Sequence, residues 1–287
     1  MKIQEQAPAK INLALNILGR RTDGYHELRM VMQSVSLCDT VTVEETGTGF
    51  TLLADGFTVP AGKSSLEQQA AEAFFAAVGR PMPPLTVHLE KTTPAYAGLG
   101  GGSADVAALL RCLRRQYAPE MPVEQLRTIG LTVGSDMPFC VSGGTALAEG
   151  RGERLTALPA LPDCWIVLCK PEFGIPTPAL FTLADAGTPK NRPDIDGMIR
   201  ALSAGDLDSV AARLCNVFEE FLPEEYHEVF HIKNRLLELG ALNAAMSGSG
   251  PTVFGIFREK TAAKAAETAL KQCYPQTYLA KPVGELV

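Results

Sequence analysis

From Lys10 to Ile17 the chain reads KINLALNI, with Ile11, Leu13, Leu15 and Ile17 alternating with Lys10, Asn12, Ala14 and Asn16. A period of two predicts a β-strand with one face in a core and an ammonium and two carboxamides on the other. GRRTDGYHEL follows as a turn-rich loop. DTVTVEE and LTVHLEK also read as strands, and between them SLEQQAAEAFFAA, Ser65 to Ala77, reads as a helix. Val106, Leu109, Leu110 and Leu113 recur at helical spacing. A short helix is predicted over Val123 to Ile129, and LTVGSDMPFCVSGGTALAEG reads as a turn or short helix delivered into two strands.

The proline-rich LPALPDC marks a change of domain near Leu158 to Asp163, dividing the chain into residues 1–158 and 159–287. CWIVLCK opens the second part as a strand, and a stretch rich in proline and glycine spans Pro171 to Pro193. Helical periodicity covers Ile195 to Leu202, Leu207 to about Glu220 and Glu224 to Leu239. AMSGSGPTVFGIF is a loop running into a strand, followed by an Ala-rich helix and the edge-like TYLAK. Mixed elements without a strict βαβ period predict an α+β fold in layers.

A chain of 287 residues is long enough for two modest cores. Its net charge of -6 and lack of a long basic run argue against a nucleic-acid partner. No apolar stretch has the length of a membrane span. The apolar segment near the start is interrupted by Asn12 and Asn16 and lacks a cleavage site, which argues for a cytoplasmic protein. Seven scattered cysteines, an odd number, fit a reducing compartment. The odd separation of Cys164 and Cys169 on one strand points them to opposite faces, against joint metal binding.

The strongest chemical signal is PAYAGLGGGSADVAALL. Gly98, Gly100, Gly101 and Gly102 strip side chains from a loop placed directly before a helix, with Ser103 as the expected N-cap. Such a nest suits a phosphate. Neither the Walker spacing nor the dinucleotide spacing fits. Gly248 and Gly250 repeat the logic, suggesting two walls around one polyphosphate. Phosphoryl transfer needs charge neutralisation and a positioned acceptor. Lys10 is either a participant or a solvated strand lysine; Asp136, in VGSDMPF, is either a participant or a turn residue. Asp105 has the alternative of a helix first-turn acid. HEVFH, His227 to His231, matches a zinc motif but lacks a nearby third histidine, so an amphipathic helix is the better account.

Together PAKINLALNILGRRTDGYHEL, KTTPAYAGLGGGSADVAALL, LTVGSDMPFCVSGGTALAEGRGE and MSGSGPTVFGIF resemble the GHMP kinase superfamily. AKINLAL joined to DGYHEL resembles its branch of 4-diphosphocytidyl-2-C-methyl-D-erythritol kinases. The resemblance implies a two-domain fold, with an N-terminal domain like ribosomal protein S5 domain 2 and a ferredoxin-like C-terminal domain. It implies transfer of the ATP γ-phosphoryl group to the 2-hydroxyl of a cytidyl-linked methylerythritol in the non-mevalonate isoprenoid pathway, with ATP arriving with Mg2+. By the same resemblance Lys10 and Asp136 are the catalytic pair. Pro94, Ala97, Gly98, Leu99, Gly100, Gly101, Gly102 and Ser103 hold ATP. Asn12, Tyr25, His26, Thr177, Phe181 and Gly248 hold the second substrate, with Tyr25 and His26 stacking on and hydrogen-bonding to cytosine and Phe181 closing an aromatic sandwich. No protein metal ligand is identified, and a monomer or weak homodimer is expected. Tyr96 departs from the small residue usual in the family, and AGKSSLEQ lacks the usual asparagine before Leu66.

Overall fold

The structure, a computed structural model, describes residues 2–55, 57–58 and 65–287, with only the backbone of 57–58. Residues 61–64 of AGKSSLEQ lie outside the described residues. The predicted first strand is longer than its alternating core: β1 runs over Lys2–Arg20 and pairs antiparallel with β2, His26–Glu44. GRRTDGYHEL is therefore half strand, its turn confined to residues 21–25 between the ends of β1 and β2.

The alternation in β1 does not carry through to one face. The register shifts between Asn12 and Ala14, where β1 advances two residues against one on β2. That bulge reverses the side-chain phase. Ile11 and Leu13 enter the core shared with the second sheet, whereas Leu15 enters the core beneath the helices. Asn16 leaves the polar row of Lys10 and Asn12, and its side-chain Oδ1 accepts from Arg192 at 2.8 Å.

Among the described residues β1 and β2 centre an eight-stranded sheet. β3 (Phe50–Ala54), β4 (Phe57–Thr58) and β5 (Leu85–Glu90) extend it beyond β2 in the order β4-β3-β5-β2-β1. β6 (Thr145–Gly150) pairs with β2 and with β7, Arg154–Ala157. Four helices cover one side: α1 (Leu66–Val78), α2 (Gly101–Tyr117), α3 (Val123–Leu131) and α4 (Met137–Ser142). Ser65 caps α1 by accepting from the Gln68 amide, so this helix begins one residue later than its pattern suggests.

The second sheet contains β8, Trp165–Cys169, as expected from CWIVLC. β10 (Asn243–Met246), β11 (Val253–Phe257) and β12 (Thr277–Ala280) join it in the antiparallel order β10-β11-β8-β12, with α8 (Glu228–Glu238) and α9 (Lys260–Lys271) packed on it. That order and those connecting helices are the ferredoxin-like arrangement the resemblance implies. α5 (Thr177–Asp185) and α6 (Ile195–Ala204) follow β8. The long helix expected from Leu207 to Glu220 is instead α7 (Leu207–Ala212), a two-residue strand β9 (Cys215–Asn216) and a 3-10 turn (Val217–Phe221). β9 leaves the second half to pair parallel with β1, and Asn216 caps the turn by accepting from the Phe218 amide at 3.0 Å.

Ile11, Leu13 and Val31 of the first sheet meet Ile166, Leu168, Phe254 and Ile256 of the second in one buried cluster. Cys164 and Cys169 fall into different clusters, on opposite faces as expected, and burial pushes both thiols up to about 12. No helix of the described residues is long and apolar enough to cross a membrane.

Candidate active site

Lys10 and Asn12 sit two apart on β1 and so point the same way. Lys10 is only 5% exposed, which removes the solvated-lysine alternative. Its ammonium donates to Asn12 Oδ1 at 2.9 Å and lies 3.6 Å from Asp136 Oδ2. Asn12 Nδ2 in turn donates to Met30 Sδ at 3.2 Å, so the carboxamide is aimed by a thioether on β2. Asp136 occupies the position before α4, yet its side chain makes no capping hydrogen bond. The turn uses its backbone and leaves the carboxylate, one-third exposed, facing Lys10. A buried cation beside a partly open carboxylate can bind an anion with a proton acceptor close at hand.

The glycine loop closes over this pair. Leu99 is buried, and its carbonyl accepts from the Lys10 amide at 2.9 Å. The helix α2 begins two residues before the expected Ser103 cap. Gly100 takes the N-cap position at φ +68° with no side-chain cap, and Ser103 lies in the first turn. The leading amides of that turn are thereby left for an anion. Most of the glycines are required by the protein's own packing. A Cβ on Gly98 would stand 2.1 Å from the Ser247 carbonyl oxygen, and one on Gly100 would stand 3.0 Å from Lys10 Cγ. Only Gly102, among these four, faces open space.

The two small-residue loops are in contact: Ser247 Oγ donates to the Gly98 carbonyl at 3.0 Å, and the Thr252 amide to the Ala97 carbonyl at 3.3 Å. Gly248 admits the Lys10 ammonium, which lies 3.1 Å from where its Cβ would be. Asn216, buried and unremarkable in the sequence, holds the second loop by donating to the carbonyls of Met246 and Gly248, each at 2.8 Å. Asn216→Ala strands both acceptors, and we expect it to cost about 2–4 kcal/mol in urea unfolding. An apolar side chain there that unfolds at the wild-type midpoint would show that these bonds do not hold the loop.

Tyr96, which departs from the small residue usual in the family, is 85% exposed rather than packed in the core. Its φ of +51° suits glycine, and its Cβ sits 3.1 Å from the Cβ position of Gly174. Relief of that strain, offset by glycine's larger unfolded-state entropy, should make Tyr96→Gly more stable by about 0.5–1 kcal/mol. A thermal midpoint raised by about 1–3 °C is the expected reading; an unchanged or lowered midpoint would show that the backbone is not strained there.

A second group of predicted residues gathers around the hairpin turn. His26 and Phe181 stack at 4.4 Å with 18° between their planes, and Phe218 meets Phe181 edge-on at 5.0 Å. At that spacing no base enters between His26 and Phe181, so a sandwich cannot use those two rings as its walls. Tyr25 is half exposed, with the Arg151 guanidinium 4.5 Å over its ring. The same 151–153 turn brings Gly152 to within 4.0 Å, measured at its Cβ position, of Asp136 Oδ1. The turn therefore bridges the aromatic group and the Lys10–Asp136 pair. Thr177 and Ser249 share a hydroxyl hydrogen bond of 2.7 Å, which ties the start of α5 to the second loop. Pro94 opens the glycine loop and makes no polar side-chain contact.

Under the loop lies a cluster that the pattern did not single out. Lys91 bridges the buried carboxylates of Asp39 and Asp105, and Asp39 also accepts from the amides of Thr92 and Thr93 at 2.5 and 2.7 Å. Asp105 is thus a buried partner rather than a surface first-turn acid. Burial pushes its carboxyl up to about 7 against the pull of Lys91. In HEVFH, Glu228 accepts from the Tyr274 hydroxyl and His227 meets Phe230 edge-on, so both serve helix packing.

Two family models match the chain, the GHMP kinases N terminal domain over residues 65–144 and the GHMP kinases C terminal model over 198–276. A 4-diphosphocytidyl-2-C-methyl-D-erythritol kinase of Moorella thermoacetica is 41% identical across 96% of this chain and 97% of its own. One from Listeria monocytogenes is 39% identical across 99% of this chain and 97% of its own. A crystal structure of 4-(cytidine 5'-diphospho)-2C-methyl-D-erythritol kinase superposes with a TM-score of 0.82 at 32% identity, over 98% of this chain and all of that one. Homoserine kinase from Cytophaga hutchinsonii, at 17% identity and a TM-score of 0.75, shares the fold. With this identity sustained along nearly its full length, the chain belongs to the 4-diphosphocytidyl-2-C-methyl-D-erythritol kinase branch of the GHMP kinases, with their two-domain α+β fold.

Proposed function

We propose that this enzyme moves the γ-phosphoryl group of ATP to the 2-hydroxyl of 4-(cytidine 5'-diphospho)-2-C-methyl-D-erythritol, releasing ADP and the 2-phosphate in the non-mevalonate pathway. The observation that carries the chemistry is the buried Lys10 ammonium, 2.9 Å from Asn12 Oδ1 and 3.6 Å from Asp136 Oδ2 beneath two glycine loops. Asp136 orients the acceptor hydroxyl and takes its proton, while Lys10 offsets charge on the phosphoryl group in transit. Asn12, fixed by Met30, places the hydroxyl.

Backbone amides of residues 97–103, leading into and opening α2, cradle the nucleotide phosphates, and Pro94, which has no N–H to donate, begins the loop that carries them. Gly248 gives room at the acceptor end, and Thr177 extends that wall. Tyr25, His26 and Phe181 form the cytosine pocket, with the base on an outer ring face. Magnesium bound to the triphosphate would neutralise its β and γ oxygens. Among the described residues no cluster of three or more His, Cys, Asp or Glu is arranged to hold a metal. The Ser103 hydroxyl fits the role of a minor ligand to a metal held chiefly by phosphate oxygens. Residues 1–158 and 159–287 act as the two domains, and the enzyme works in the cytoplasm as a monomer or weak homodimer.

Coupled ADP release with ATP and magnesium tests the assignment, comparing the cytidyl methylerythritol substrate with mevalonate and galactose. Turnover confined to the cytidyl substrate is expected. Turnover on mevalonate or galactose, or none with any acceptor, would overturn it.

A further inference from the structure

Asp185 is the last residue of α5, and His26 is the first of β2; 159 positions separate them in the chain. Their side chains nevertheless meet, with His26 Nε2 2.7 Å from Asp185 Oδ1. The imidazole is 9% exposed and the carboxylate about one-third exposed, so the contact is sheltered without being sealed. Three further contacts hold the geometry. One face of the imidazole lies on Phe181 at 4.4 Å, and Phe218 braces Phe181 edge-on. Arg20, directly across the β1–β2 ladder from His26, brings Nη1 to 4.0 Å from Asp185 Oδ2. The imidazole is therefore fixed in plane by a ring and in rotation by a carboxylate.

An ionised carboxylate can only accept. The proton of a neutral His26 must then sit on Nε2, which leaves Nδ1 with its lone pair as the ring's acceptor. A 4-aminopyrimidine presents an amino donor, and a 4-oxopyrimidine presents an acceptor at the same corner. We propose that Asp185 is a positioning residue that locks His26 in the Nε2–H tautomer, and that this lock makes the pocket select cytosine over uracil. The proposal rests on the cytosine-pocket reading given above. It adds a residue of the second half that acts on the base through a histidine of the first.

The test compares the intact wild-type enzyme with Asp185→Ala and Asp185→Glu, using CDP and UDP as calorimetric probes. Without the carboxylate the ring samples both tautomers. CDP affinity should fall about tenfold and the CDP-over-UDP preference should shrink by a similar factor. The KM for the cytidyl substrate should rise in step, while kcat and the KM for ATP stay within twofold. Nitrogen-15 spectra of the histidines should show one fixed Nε2–H ring in the wild type and a mixture in the alanine variant. The glutamate variant should recover most of the preference, which a general loss of folding would not allow. An Asp185→Ala enzyme that keeps its CDP preference overturns the positioning role alone. So does one that loses ATP and CDP affinity together. A wild-type enzyme that does not prefer CDP to UDP overturns the cytosine-pocket reading itself.

Discussion

Asp136→Asn should lower kcat by about a thousandfold, within the range that a positioned general base contributes, while ATP affinity stays within about threefold. The change is nearly isosteric. It leaves Lys10 with its 2.9 Å bond to Asn12 and removes only the proton-accepting charge 3.6 Å away. The carboxylate makes no capping hydrogen bond to α4, so the fold gives up nothing that would obscure the kinetic effect. A coupled assay alongside calorimetric ATP titration separates the two quantities. Residual activity within tenfold of the wild type would mean that Asp136 does not take the proton. A parallel collapse of ATP affinity would mean that its role is to shape the nucleotide site.

The second large effect concerns two glycines four residues apart with opposite expected outcomes. Gly98→Ala places a methyl group 2.1 Å from the Ser247 carbonyl oxygen, on a backbone at φ +73° that a side chain strains. Neither loop can yield easily, because Ser247 Oγ and Thr252 already tie them together and Asn216 holds the second from behind. We expect a loss of about 3 kcal/mol or more in stability, at the upper end of the effects attributed to overpacking and backbone strain combined. Gly102→Ala points into open space in a helix, where alanine is favoured by about 0.5–1 kcal/mol. That variant should melt later and yet raise the KM for ATP at least tenfold, because its methyl occupies the place proposed for phosphate. Thermal melts and ATP kinetics on both proteins check the pair. If Gly102→Ala leaves the KM for ATP unchanged, the phosphates do not lie over the start of α2.

The sequence marked the parts of this site but could not assemble them. Lys10 and Asp136 were each ambiguous, because a strand lysine and a turn aspartate are ordinary residues until something brings them 3.6 Å apart. The strand pattern in KINLALNI was right about β1 and wrong about its faces. A bulge adds a residue without altering the alternation of residue types, so the phase reversal that sends Leu15 to a different core from Ile11 leaves no mark in the pattern. The apolar spacing after Leu207 likewise suggested one helix, but Asn216 is spent on two carbonyls of another loop, and its backbone joins β1. Ser103 looked like a cap because serine usually is one. Here a left-handed glycine starts the helix earlier. Asp185 and Lys91 carried no local signal at all, since each acquires its meaning from a partner distant in the chain. The family resemblance supplied the assembly that local spacing lacked, and the fold agrees with it in both sheets.

The strand β9 has a consequence for biosynthesis. Lys10 is synthesised long before Gly248, which follows 238 positions later and lies against its ammonium in the finished fold. At 5–20 residues per second, that gap lasts roughly 12–48 s. The edge of β1 waits for Cys215 and Asn216, which follow their partners Ala14 and Leu15 by 201 positions, and the second glycine loop reaches the ammonium after that. Closure continues later still, because the Val283 amide donates to the Ser34 carbonyl and the Leu286 amide to that of Ser142. The nascent first domain is therefore an incomplete sheet, with an unpaired edge on β1 until residues of the second half reach back to finish it.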